Sequence, residues 1–231
     1  EISAQMIRSC RIPFVILGNY DHGVVRDCLV VETDFGVGVY KIVEQFRKLG
    51  KQRVAFYNSE MQSFNAREHL AALRSALREN GMESRPDLVY IGQGGTTGAY
   101  EALHGVFSGS ELPFDAMYCP NVRSATEISH LILGRFGLDR DIDLVLATAT
   151  TSVHQRLFVP AIYLIASNER VAYSGVKLLT DRLPGTSRAL PARILLHPVV
   201  TKVLRPAEAP AAALGEIKDD AGKKGTVEFE K

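Results

Sequence analysis

Residues 30–56 read VVETDFGVGVYKIVEQFRKLGKQRVAF, from Val30 to Phe56. An apolar β-branched run at Cys28–Val31 passes into a segment of helical period at Phe35–Leu49. A second apolar run follows at Arg53–Tyr57. Strands that are apolar almost throughout are covered on both faces, which is the condition of a parallel sheet joined by helical crossovers.

The same alternation extends in both directions. Further strands are expected at Pro13–Leu17, Leu88–Ile91, Ala116–Cys119, Leu144–Ala147, Tyr163–Ala166 and Ile194–Leu196. Further helices are expected at Asn65–Glu79, Ala99–Phe107, Arg123–Phe136 and Glu169–Arg182. In the first of these, Leu70, Leu73 and Leu77 share a face, Arg74, Arg78 and Glu79 take the other, and Asn80–Gly81 forms a helix stop. The class is α/β. Ligands of such sheets collect at the carboxyl ends of the strands. The loops to inspect are therefore 18–22, 58–65, 92–98, 120–123 and 148–154. Beyond Arg205 the composition turns to Ala, Pro and charge, and residues 206–231 read as a mobile tail.

Bulk composition removes several function classes. With 231 residues and 46% of them hydrophobic, the chain can bury one or two sizeable cores. Twenty-seven basic against 26 acidic residues give no polybasic nucleic-acid surface. Three cysteines (Cys10, Cys28, Cys119) neither form a disulfide framework nor pair as zinc ligands, and they point to a reducing cytoplasm. No apolar run is long enough to span a membrane. The opening residues lack the features of a signal peptide and resemble the middle of a helix, so a fragment is expected.

Chemistry-bearing motifs are sparse. The stretch LVYIGQGGTTGAYE (Leu88–Glu101) has the order of strand, glycine-rich turn and helix found in phosphate cradles. Its spacing departs from the dinucleotide fingerprint, however, and no P-loop lysine follows. Thr96 or Thr97 can cap the next helix, and free amides there could hold an anion or hydroxyls. No nucleophile elbow or zinc-protease motif occurs. The six histidines (His22, His69, His104, His130, His154, His197) have no ligand spacing, and Asp21 and Glu60 make no obvious acid/base pair. Neither catalytic residues nor a metal or cofactor is expected.

Taken in order, the segments resemble the effector-binding core of the LacI/GalR family of bacterial transcription regulators. IPFVILGN (Ile12–Asn19) resembles a family strand, and Asp34, Gly38, Leu49, Gly50, Arg53 and Ala55 match the V-x-x-D-x-x-x-G…L-G-x-x-R-x-A signature. HLAALRSALRENG keeps Ala76, Leu77 and Gly81, while FDAMYCPNVRSA keeps Asn121 and Ala125. GLDRDIDLVLAT, VPAIYLI and SGVKLLTDRLPG…ARILLHPVVTK resemble the closing elements. The resemblance runs over roughly residues 1 to 204.

It implies two Rossmann-like lobes of the periplasmic-binding-protein-like type, joined by three crossovers, with a small effector in the cleft. The lobes would be 1–50 with 168–197, the first one truncated at its start, and 51–167 with 198–205. By the same resemblance the chain would be the sensing part of a homodimeric, cytoplasmic regulator. It would reach operator DNA only through a headpiece that has no counterpart here. The alternative is a periplasmic sugar-binding protein of a transporter.

Ligand contacts implied by position are Asn121, His69, Arg67, Thr148, Thr150, Ser59, Thr96, Asn19 and Tyr20. His69 stands where relatives use an arginine, and Arg67 could substitute. The acids that take sugar hydroxyls in relatives are replaced by Val122 and by the Ala147–Thr150 run. Simple hexoses are therefore expected to bind weakly, and the effector to be an atypical carbohydrate-like molecule. Phe14, Phe56 and Tyr57 are expected in the core.

Overall fold

The computed structural model describes residues 13–21, 28–59, 63–93, 95–136, 144–151, 157–181 and 193–205. The expected tail at 206–231, together with Cys10, His22, Glu60 and His154, lies outside the described residues.

Two sheets form. Val15–Leu17 (β1), Leu29–Thr33 (β2) and Arg193–Leu196 (β8) make a three-stranded parallel sheet in the order β1-β2-β8. The second sheet holds Val54–Asn58 (β3), Val89–Ile91 (β4), Ala116–Cys119 (β5), Val145–Thr150 (β6), Ala161–Ile165 (β7) and Val199–Val200 (β9). Its order is β4-β3-β5-β6-β7-β9, parallel except for the antiparallel edge pair β7–β9. The chain passes between the sheets three times, from β2 to β3, from β7 to β8 and from β8 to β9. This is the two-lobed parallel architecture expected from the sequence.

The helices are Phe35–Lys48 (α1), Phe64–Glu79 (α2), Gly95–Ala102 (α3), His104–Ser108 (α4), Val122–Phe136 (α5) and Asn168–Thr180 (α6). The single helix expected at Ala99–Phe107 is two. It starts earlier, inside the glycine stretch, and breaks at Leu103, whose side chain is fully buried where α4 restarts.

Period-two alternation gives the second sheet two apolar faces. Ala55, Tyr57, Met117, Cys119 and Leu146 pack beneath α3, α4 and α5. Val54, Phe56, Ala116, Tyr118 and Ala147 pack beneath α1 and α2. In the first sheet, Leu29 and Val31 meet Leu178 and Val171 of α6.

The helix α1, which the expected boundary at residue 50 would give to the first lobe, packs against the second sheet. Its apolar residues Val39, Ile42, Val43 and Phe46 join the core of the second sheet, where each large fully buried side chain contributes about 1.5–3 kcal/mol. The passage between lobes therefore comes at Asp34. That residue caps α1, its Oδ1 accepting from the Val37 amide at 3.0 Å. One turn later, a Cβ on Gly38 would lie 2.5 Å from Leu164 Cδ1 and 2.7 Å from Pro198 Cγ. The Asp and Gly of the signature thus have a local cause. One starts the helix at the crossover, and the other lets it touch β7 and the β8–β9 corner.

Candidate functional site

A cavity of about 370 Å³ opens between the lobes. The first lobe contributes Asn19, Glu32 and Thr33 at the ends of β1 and β2, with Arg193 and Leu195 on β8. The second contributes the start of α1 at Asp34–Gly36 and one flank of α2, from Phe64 and Glu68 to Ser75. That volume suits a small organic ligand.

The first-lobe wall is polar and internally hydrogen-bonded. Asn19 Nδ2 donates to the Thr33 carbonyl at 2.8 Å, and the Thr33 amide donates to Asn19 Oδ1 at 3.1 Å, a paired bond that ties the β1 loop to the end of β2. Glu32 is 2% exposed, and Arg193 Nη2 donates to its Oε2 at 2.8 Å. A buried carboxylate requires such a partner. The guanidinium itself stays about half exposed on the cavity wall.

The second-lobe wall leads inward. The ring of Phe35 lies 4.2 Å from that of His69, and His69 Nδ1 stands 2.7 Å from the Tyr118 hydroxyl. Burial pushes the imidazole pKa down to about 4 and raises the Tyr118 phenol well above its ordinary range. The phenol is therefore the natural donor to a neutral imidazole. His69, expected to face the cleft, points into the core at 3% exposure because it shares the helical stripe of Leu70, Leu73, Ala76 and Leu77.

Of the nine residues implied by the resemblance, only Asn19 lines the cavity. Tyr20 beside it and Arg67 on α2 are exposed. Asn121 is exposed and acts as a helix cap, its Oδ1 accepting from the Arg123 amide at 2.8 Å. Thr148 is fully buried within β6, while Thr150 is half-buried at its end. Ser59 Oγ is 3.3 Å from Ser124 Oγ, and Thr96 is exposed on α3. The sequence reading did not bring together Glu32 and Arg193, which line the cavity and are 161 positions apart. A lone acid inside the apolar run VVET was the available signal. Phe56 and Tyr57 are core residues, as expected.

The glycine stretch has a packing cause. A Cβ on Gly92 would lie 2.6 Å from the Tyr57 hydroxyl and 2.7 Å from the Gly98 carbonyl oxygen, and one on Gly98 would collide with the Gln93 carbonyl. The turn folds back tightly over Tyr57, and only residues without side chains permit it. Tyr57 is fully buried, its hydroxyl has no hydrogen-bond partner among the described residues, and its pKa is pushed up to about 12, first by burial and then by the Glu127 carboxylate.

Among the described residues, no group of three His, Cys, Asp or Glu side chains could hold a metal ion, and no helix is long and apolar enough to cross a membrane.

With this geometry in hand, the chain can be set beside solved structures. A LacI-family regulatory protein from Chloroflexus aggregans superposes with a TM-score of 0.74 over 89% of this chain and 72% of its own, at 18% identity. The fold is that of the LacI-family regulators. A cellobiose complex of the transcriptional regulator CelR gives 0.70 at 20% identity, over 87% of this chain and 61% of that one. A sugar-binding LacI-family regulator from Escherichia coli, complexed with phosphate, gives 0.68 at 16% identity over 88% and 72%. The chain thus spans about two thirds of the length of these neighbours. No family model matches it, and no curated protein matches it by sequence.

Proposed function

We propose that this chain is the effector-sensing part of a LacI-type transcription regulator. A small carbohydrate-like molecule enters between the lobes, and their closure alters how a dimer presents DNA-binding headpieces carried elsewhere in the protein. The observation that supports this best is the cavity itself, walled by strand ends of one parallel sheet and by helices of the other, with three crossovers between them. Such a hinge lets a ligand shift the balance between open and closed states by its differential affinity for them.

Coupling to operator DNA would be reciprocal, effector and operator changing each other's affinity by one factor. The reading places the protein in the cytoplasm and assigns it no catalytic step. In the described cavity wall, Asn19, Asp34 and Glu32 are engaged in holding the backbone or Arg193.

The test combines thermal melting with gel filtration. Cellobiose, glucose 6-phosphate and D-glucose serve as first probes. A sensor predicts a dimer whose melting temperature rises with one of the first two and little with free glucose. A monomer that binds free hexoses tightly would instead indicate a transport binding protein.

A further inference from the structure

The first-lobe wall of the cavity carries an ion pair where the sheet itself calls for apolar residues. Val30 pairs with Arg193 and Glu32 with Leu195 across the parallel strands β2 and β8, so these side chains share one face of the sheet. Val31 and Ile194 take the other face, which packs on α6. Glu32 and Arg193 stand on the cavity side, with α2 forming the wall opposite. A buried ion pair often stabilises a fold no better than apolar residues of the same size, so its presence here calls for a second use.

The pair fixes the direction of a guanidinium. Glu32 is 2% exposed, and its Oε2 accepts from Arg193 Nη2 at 2.8 Å. The Arg193 side chain is 45% exposed on the cavity wall, and its other N–H groups have no partner among the described residues. The guanidinium is a planar fork, so anchoring one nitrogen sets where the remaining donors point. A lysine in its place could still reach Glu32 but would present no fork.

The rest of the wall suits a sugar better than an anion. Phe35, Ala72 and Leu195 offer apolar surface to ring C–H groups, and Glu68 on α2 adds an acceptor for hydroxyls. Glu32, Asp34 and Glu68 set three carboxyl groups against the single guanidinium, which disfavours a phosphate or a carboxylate.

We propose that Arg193, held by the buried Glu32, is the ligand fork of the interlobe cavity and donates to the hydroxyl or ring oxygens of a neutral carbohydrate. The proposal rests on the carbohydrate-sensing reading above and names the ligand class of that site.

The test uses the full chain, with cellobiose as the neutral probe and glucose 6-phosphate as the charged one. Calorimetry and thermal melting compare the parent with Arg193→Lys. In parallel, the guanidinium signal of Arg193 is followed by nitrogen NMR on protein carrying isotopically labelled arginine. Cellobiose should move that signal saturably, and glucose 6-phosphate should not. Arg193→Lys should melt like the parent, because its ammonium still pairs with Glu32, and should bind cellobiose about tenfold more weakly.

Cellobiose binding with an unmoved Arg193 signal and equal affinity in Arg193→Lys would overturn the fork and leave the sensing reading intact. Binding of glucose 6-phosphate alone, with the Arg193 signal moving, would overturn the neutral class and make the cavity an anion site of the same sensor. Binding of neither probe at millimolar concentration would overturn the proposal too, and a dimer on gel filtration would then still support a regulator. If Arg193→Lys does not fold, the guanidinium titration of the parent decides alone.

Discussion

Tyr57 and Tyr118 stand on neighbouring strands, β3 and β5, and both are fully buried. They project from opposite faces of the second sheet, and their hydroxyls meet opposite fates. Tyr118, beneath α1 and α2, bonds His69 at 2.7 Å in a contact that continues through the ring of Phe35 to the interlobe cavity. Tyr57, beneath α3 and α5, has no hydroxyl partner among the described residues and lies against Gly92. A satisfied buried pair fixes one arrangement of the helices around it, whereas an unsatisfied group leaves room for a second arrangement. The α1–α2 face of the lobe thus holds a satisfied buried pair, and the α3–α5 face an unsatisfied buried hydroxyl.

The largest expected effect belongs to the α1–α2 face. His69 has a folded pKa of about 4, below its ordinary 6.5, so the unfolded chain binds the proton more readily. Stability from this group is fully present above pH 6.5 and is lost as pH falls toward 4, with about 3 kcal/mol at stake. Urea unfolding between pH 7 and pH 4 should show that slope, and His69→Phe should flatten it. An unchanged slope in the variant would place the acid sensitivity elsewhere.

Next comes Tyr118→Phe, which strands the His69 Nδ1 and should cost about 1–3 kcal/mol by chemical unfolding. On the other face, Gly92→Ala forces a methyl toward the Tyr57 oxygen and the Gly98 carbonyl, at about 1–2 kcal/mol. Combining it with Tyr57→Phe should recover part of that loss, because the oxygen in the way is gone. Strict additivity in this double-mutant cycle would contradict the close packing of turn and phenol.

The smallest effect is expected from Tyr57→Phe alone, within about 0.5 kcal/mol of the parent or slightly more stable, since no hydrogen bond is broken. A loss as large as that of Tyr118→Phe would erase the contrast between the two faces.

Much of the fold was legible because its causes are local. The strand and helix runs follow from periodicity, and the class from nearly continuous apolar strands. The site was less legible because its causes are distant. Glu32 meets Arg193 across two strands far apart in the chain, and Asn121 is spent on a helix start that any strand-end Asn could provide. His69 was readable in principle: its spacing to Leu73 and Ala76 places it on the buried stripe, against a positional expectation that it faced the ligand. The glycine stretch has the order of a phosphate cradle without its spacing, and the Tyr57 side chain supplies the packing reason for Gly92.

In a sensor of this kind, ligand entry between the lobes should draw them together. Spin labels on Arg78→Cys in α2 and Lys177→Cys in α6, both exposed positions, report the distance across the cavity when Cys10 is replaced by Ser. Pulsed EPR should show that distance shorten, and its spread narrow, on adding the carbohydrate that raises the melting temperature. An unchanged distance with that same carbohydrate bound would contradict lobe closure as the sensing event.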